Sequence, residues 1–370
     1  TKDVFEKSEL VKRLYDAWKE GRQVTTYPPT SSDVLQSKLF FASLEGGKGI
    51  KAFNAQNIFV EDNGSTFPCI QIKVEPTQDI PGKKRRNHVL TMLLDTAATG
   101  FVLRPDVATE RLNLPVVNRQ ASMTGAGGKI DLGGVAQMYT WYFDNERFGP
   151  DPVPLLDIGG LPERLDGIIG LTWLMRFACV ELNFQTGQIC LYRESLSPPP
   201  PEGFEIVSDT SLERTNLGLW KVPVFLDGRG PVNLLVDTGA AGGFLNENGL
   251  QQLGLTKEQV EPLSDFGAIG SDNMAMQLTH RLAVKSTLRM AGSSSGSVPL
   301  TTDMNFDVGD LPVLKQLRGD NVGGIMGANA FAQCGLCRFR FNGADPRLTI
   351  LRPVEKESND EETEEPSVQP

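Results

Sequence analysis

The sequence predicts an all-β protein made of two similar β-rich lobes with a cleft between them, preceded by an N-terminal helix. Three observations carry this reading. The 38 Gly and 24 Pro among 370 residues punctuate the chain with turns, which favours short strands over long helices. One order of elements also runs through the chain twice. The apolar run Leu234-Leu235-Val236 delivers Asp237-Thr238-Gly239 to a small-residue turn, and Met92-Leu93-Leu94 has already delivered Asp95-Thr96-Ala97 in the same way. Finally, Ser197-Pro198-Pro199-Pro200-Pro201-Glu202-Gly203 lies between the two copies, and its run of prolines makes a stiff, extended spacer. The expected organisation is an N-terminal helical or irregular segment over 1–53, a first lobe over 54–196, a linker over 197–203, a second lobe over 204–352 and an acidic disordered tail over 353–370.

Composition narrows the function classes. A net charge of −10 argues against a nucleic-acid partner, which requires a basic face. Much of that charge is local, because the tail carries Glu355, Glu357, Asp360, Glu361, Glu362, Glu364 and Glu365 against Lys356; such a segment is expected to stay solvated and disordered. No stretch approaches the ~20 continuous apolar residues of a membrane span, so no membrane partner is expected. Five cysteines, few and odd in number, fit a reducing compartment better than a disulfide scaffold. The chain starts at Thr1 with no signal-peptide pattern, so the expectation is a soluble intracellular protein, in the cytoplasm or in an organelle such as a plastid after removal of a targeting segment. Asn63-Gly64-Ser65 matches a glycosylation sequon, for which an intracellular chain has no use.

Taken in order, Val4 to Arg22 reads as an amphipathic helix through Phe5, Leu10, Leu14, Tyr15 and Trp18, ended by Pro28-Pro29. Ile58–Val60 and Phe67–Val74 read as strands about an Asn63-Gly64 turn. Lys83-Lys84-Arg85-Arg86 reads as a solvated hairpin tip. After Asp95 come a short helix over Pro105–Leu114 and the glycine cluster Met123-Thr124-Gly125-Ala126-Gly127-Gly128-Lys129. That cluster is no phosphate loop, because Met123 stands where the first glycine is required and Ile130 where a Ser or Thr is. A mobile hairpin tip is the expectation. Ile168-Ile169-Gly170-Leu171 and a hairpin over Val180–Leu191 complete the first copy.

Beyond the linker the order repeats: a strand over Trp220–Leu226, a turn at Asp227–Gly230, a strand over Val232–Val236 into Asp237, and a short helix over Asn248–Leu255. Ala268-Ile269-Gly270-Ser271 forms a second small-residue tip, Ile325-Met326-Gly327-Ala328 a second Gly-flanked apolar motif, and Phe339–Leu351 a closing hairpin. Gly125 follows Asp95 at nearly the interval at which Gly270 follows Asp237. The longer interval from Asp237 to Gly327 than from Asp95 to Gly170 is absorbed by Gly292-Ser293-Ser294-Ser295-Gly296-Ser297. A repeat this long is one domain duplicated, not a solenoid.

Each half resembles a retropepsin-like aspartic peptidase lobe: Asp-Thr-Gly/Ala, a glycine-rich flap, two apolar residues and Gly, a short helix and a terminal hairpin. The resemblance spans most of the chain, and the joined lobes look like the pseudo-dimer of pepsins. It implies an aspartic-protease fold and an aspartic endopeptidase, monomeric, acting on a polypeptide substrate. Asp95 and Asp237 would form the catalytic dyad, with Thr96, Ala97, Thr238 and Gly239 in support and the Thr hydroxyls crossing to the opposite loop. Gly125, Ala126, Gly127 and Gly128 would form one flap, and Ile269 and Gly270 part of a second. The flap tyrosine of pepsins has no counterpart, since Tyr139 and Trp141 lie beyond the glycine tip. Two carboxylates about 3 Å apart cannot both ionise, so one keeps a proton; the charged member draws a proton from water and the neutral one polarises the amide carbonyl. Neither a metal nor an organic cofactor is required.

Rival readings rest on specific residues. Ala97, where the second copy has Gly239, keeps open a second reading, a peptidase-like fold kept for peptide binding or assembly with cleavage lost, although an ordinary extended backbone there would tolerate the methyl and leave an active enzyme. Cys334-Gly335-Leu336-Cys337 has zinc or redox spacing, but neither His88 nor His280 sits at ligand spacing, so buried thiols are expected. With only those two histidines, a Ser or Cys hydrolase is disfavoured. Arg318-Gly319-Asp320 reads as a surface turn.

Overall fold

The computed structural model describes residues 34–38, 40–43, 66–75, 87–117, 122–125, 128–143, 146–158, 165–184, 188–193, 197–269, 275–285, 287–290, 298–299 and 304–354. The helix expected over Val4–Arg22, the strand at Ile58–Val60, the basic run, the serine-rich insertion and the acidic tail lie outside these residues. Among the described residues no helix is long and apolar enough to cross a membrane.

Strands dominate, as the turn-rich composition requires, and they form the same arrangement twice. In the first lobe His88–Leu94 lies parallel to Gly167–Ile169, which runs antiparallel to Val102–Leu103, which is parallel to Asp151–Leu155. In the second, Arg229–Val236, Gly324–Met326, Gly243–Leu245 and Met304–Gly309 repeat that order and those directions. Each quartet is the centre of a ten-stranded sheet. In both lobes the strand that ends on the Asp is therefore flanked by the Gly-flanked apolar motif. The motif strands bury every residue, Gly167-Ile168-Ile169 and Gly324-Ile325-Met326, which is why they read as continuous apolar runs rather than alternating ones.

The glycine closing each motif answers a close backbone approach. A Cβ on Gly170 would stand 2.3 Å from the Ala98 carbonyl oxygen, and one on Gly327 would stand 2.0 Å from that of Gly242. The loop after each Asp thus rests on a glycine that leaves it room. Hydrogen bonds complete the seat: Leu171 N–H donates to the Ala98 carbonyl at 2.8 Å and Ala328 N–H to that of Ala240 at 2.7 Å.

A third sheet joins the lobes. Its six strands run in the order Val34–Lys38, Gln188–Tyr192, Cys179–Asn183, Leu336–Arg340, Arg347–Pro353 and Phe204–Ser211. The lobes meet where Cys179–Asn183 pairs antiparallel with Leu336–Arg340. One face of this sheet, with Val180, Leu182, Cys337 and Phe339, belongs to the continuous apolar core. That core includes an aromatic group in the first lobe, where Trp141 stacks on Phe148 at 4.6 Å and Phe143 meets Trp173 edge-on at 5.6 Å.

Several expected boundaries move. The segment over 1–53, expected to be helical or irregular, contains strands: Val34–Lys38 pairs with Gln188–Tyr192, and Phe40–Ser43 with Thr66–Val74. Strand partners distant in sequence decide this, so local pattern could not. The helix expected over Pro105–Leu114 starts at Pro105 as expected and ends at Arg111, wound as a π-helix over Val107–Arg111. The one expected over Asn248–Leu255 is Glu247–Gln252, because Asn246 caps it by accepting from Gly249 N–H at 2.8 Å. The linker is no free spacer, since the carbonyls of Pro198 and Pro199 both accept from the buried Arg338.

Candidate active site

The two Asp-Thr loops meet between the lobes, held by their threonines. Thr96 Oγ1 donates to the Val236 carbonyl at 2.8 Å, and Thr238 Oγ1 donates to the Leu94 carbonyl at 2.7 Å. Each hydroxyl also accepts from the other loop: Thr238 N–H reaches Thr96 Oγ1 at 3.0 Å, and Thr96 N–H reaches Thr238 Oγ1 at 3.2 Å. Both threonines are buried, so four reciprocal bonds lock the loops where water cannot compete. A small hydroxyl residue at this place is what the geometry requires. Ala could not bond, and a longer side chain would separate the strands.

Each Asp is braced by its own loop. Ala97 and Ala98 N–H donate to Asp95 Oδ1 at 2.7 and 2.9 Å, and Gly239 and Ala240 N–H donate to Asp237 Oδ1, both at 2.9 Å. That leaves the second oxygen of each carboxylate for the pair. The two carboxyls lie close enough to act on each other's titration. Burial pushes Asp95 above the ordinary carboxylate range, against the pull of its N–H donors. Asp237 is pushed well above it, by burial first and by the negative charge of Asp95 second. The two titrations therefore belong to the pair rather than to either residue. A pair of this kind can supply a general base and a general acid.

Of the other expected site residues, Thr96, Ala97, Thr238 and Gly239 sit together around these carboxylates. The residues described with left-handed backbone are Asn113, Asp227, Asn321 and glycines outside both Asp-Thr loops, so neither Ala97 nor Gly239 occupies a conformation reserved for glycine. Gly239 is constrained otherwise, because a Cβ there would stand 2.4 Å from Asp95 Cγ. The expected flaps are hairpins of unequal build. Ser122–Gly125 pairs with Gly128–Asp131 as a two-stranded ribbon of its own, whereas Glu261–Ile269 pairs with Ala275–Val284 as the end of the second lobe's sheet. Their tips, with Ala126, Gly127 and Gly270, lie outside the described residues. Trp141 is buried and donates from Nε1 to Asp151 at 2.7 Å, a core contact, while Tyr139 is exposed.

The backbone N–H donors of Ala98 and Ala240 carry no residue-type signal, since any residue but proline supplies one. The sequence reading missed the reason for the glycines at 170 and 327. Cys334 and Cys337 are buried free thiols, and burial raises Cys337 well above the usual thiol range. Among the described residues no group of three or more His, Cys, Asp or Glu is arranged to hold a metal ion. Arg318–Asp320 is a short helical turn whose Asp320 accepts from Asn216 N–H at 3.1 Å.

No protein-family model matches the chain, and no curated protein matches it. Solved structures do resemble it. An aspartic proteinase from Irpex lacteus aligns with a TM-score of 0.49 at 11% identity, over 88% of this chain and 99% of that one. Basic 7S globulin from soybean aligns with a TM-score of 0.46 at 10% identity, over 86% of this chain and 96% of that one. A retropepsin-like aspartic protease from Rickettsia conorii aligns with a TM-score of 0.25 at 15% identity, over 41% of this chain and 96% of that one. Two lobes of one topology, joined by a shared sheet and meeting at interlocked Asp-Thr loops, give the chain the two-lobe aspartic-protease fold.

Proposed function

We propose that the protein is an aspartic endopeptidase that hydrolyses polypeptide substrates with a water activated by Asp95 and Asp237. The observation that supports this reading is the reciprocal threonine lock, which holds two carboxyl-bearing loops from separate lobes against each other. A buried pair of like charges is costly, and a fold that needed only to hold its lobes together would be better served by neutral groups there. In the proposed cycle the ionised member takes a proton from water, the hydroxide adds to the peptide carbonyl, and the neutral member donates its proton to the developing oxyanion. Collapse of the tetrahedral intermediate returns that proton to the pair and delivers one to the leaving amine. The chemistry calls for no cofactor.

Ala97 fits this reading. Its backbone is not of the kind that requires glycine, and its N–H still braces Asp95. The test is digestion of an unfolded protein by wild type and by Asp95→Asn and Asp237→Asn, with and without a statine-type inhibitor. Cleavage by wild type alone, blocked by the inhibitor, is the expected result. A wild type that binds peptide but never cleaves would assign the site to peptide binding.

A further inference from the structure

The strands that join the lobes, Cys179–Asn183 and Leu336–Arg340, are equivalents of each other. Each follows its lobe's Gly-flanked motif and short helix, each opens its lobe's last hairpin, and each turns its second and fourth residues, Val180 and Leu182 or Cys337 and Phe339, into the core. Their middle residues are Glu181 and Arg338, and these stand directly opposite one another in the antiparallel register. The pseudo-two-fold axis relating the lobes therefore passes through this pair. Arg338 Nε donates to Glu181 Oε2 at 2.6 Å, and both side chains are about nineteen-twentieths buried, at 5% and 6% exposure. Arg338 also donates to the Pro198 carbonyl at 2.5 Å and to the Pro199 carbonyl at 2.8 Å, so the linker covers the pair.

We propose that this axial pair selects the partner of each lobe: it permits first-lobe–second-lobe pairing and opposes pairing of either lobe with its own kind. A residue on a two-fold axis meets its own copy in a homodimer. Two first lobes would set Glu181 against Glu181, and two second lobes would set Arg338 against Arg338, like charge against like on a buried axis. Like charges directly opposite in a sheet are destabilising, and burial makes the mismatch worse. Only the mixed pair places opposite charges on the axis, which is discrimination by a repulsive element as well as an attractive one. The partner surface fitted here is thus the other lobe, from the same chain or, by exchange, from a second copy.

The two homotypic axes can be reproduced in the intact chain. Arg338→Glu presents the axis of two first lobes and Glu181→Arg that of two second lobes, while Glu181→Arg combined with Arg338→Glu restores opposite charges in reverse. Each single variant is expected to lower the midpoint of thermal unfolding by about 5 °C or more. The reversed double variant should recover more than half of the summed loss. The bonds to Pro198 and Pro199 are absent in both the Arg338→Glu and the double variant, so the recovery reports the axial pair alone. Additive losses, or single variants as stable as wild type, overturn the proposal. If a single variant fails to fold, folding of the reversed double variant supports the proposal and its failure to fold overturns it.

Discussion

At the scale of residues, the proposed dyad would tie activity to stability through pH. Both carboxyls are raised by burial, Asp237 more than Asp95. A group raised in the folded state favours folding below its unfolded value, about 3.9, and loses that contribution as pH climbs through the folded value. Asp237→Asn removes a carboxyl whose ordinary ionisation the fold opposes. It should therefore abolish cleavage yet raise the unfolding midpoint at pH 7, with the gain fading by about pH 4; equal gains at both pH values would argue against the raised carboxyl. Because one member must be charged and the other neutral, kcat/KM should trace a bell, and a monotonic rise from about pH 4 to 9 would contradict a shared proton. The two supporting positions should behave unequally. Ala97→Gly is expected to change kcat/KM by less than about tenfold, or ~1.4 kcal/mol, because neither position needs glycine's backbone freedom. Gly239→Ala forces a methyl into the Asp95 carboxylate and should cost about 10²-fold in kcat, the usual toll of a displaced reacting group. Similar rates for the two variants would show the loops to be more pliable than their contacts suggest.

At the scale of elements, the loops are held by donors and acceptors that have no substitute. Thr238→Val deletes the donor to the Leu94 carbonyl and the acceptor for Thr96 N–H, and leaves both buried. A loss of roughly 2–4 kcal/mol in urea denaturation is expected, with Thr238→Ser recovering most of it. Equal losses in the Val and Ser variants would mean that packing, not hydrogen bonding, sets the cost. Gly327→Ala should be more damaging, at least ~3 kcal/mol, because its methyl would meet a backbone carbonyl rather than a side chain that could swing away. A variant as stable as wild type would show that the Asp237 loop can withdraw from its seat.

For the whole molecule, the linker and the shared sheet both hold the lobes together. Proteolytic nicking between Pro201 and Gly203 should leave the lobes docked and active at micromolar concentration, because the Cys179–Asn183 and Leu336–Arg340 strands and the threonine lock remain. What the cut removes is effective concentration, so activity should fall on dilution of the nicked chain and not of the intact one. Undiminished activity on extreme dilution would show that the interface alone suffices. Loss of activity immediately on nicking would show that the covalent tie is needed.

The parts of this protein written in short contiguous stretches could be read without a structure. Asp-Thr after an apolar run, a small-residue turn and the Ile-Ile-Gly and Ile-Met-Gly motifs are local, and their recurrence in one order disclosed the duplication and the two Asp-Thr loops that meet between the lobes. Tertiary structure decided whatever depends on partners far apart in the chain. Val34–Lys38 is a strand because Gln188–Tyr192 is there to pair with it. The proline run lies on the protein because Arg338 claims its carbonyls. Ala97 is acceptable because of its backbone torsion, and Gly239 is obligatory because of a carboxylate from the other lobe, though both occupy the same place in their motifs. Glu181 and Arg338 look like ordinary strand charges until antiparallel pairing sets them on the axis between the lobes. Hydrogen bonding and steric fit act over a few ångströms of space, and proximity along the chain reports such contacts only within a single turn or hairpin.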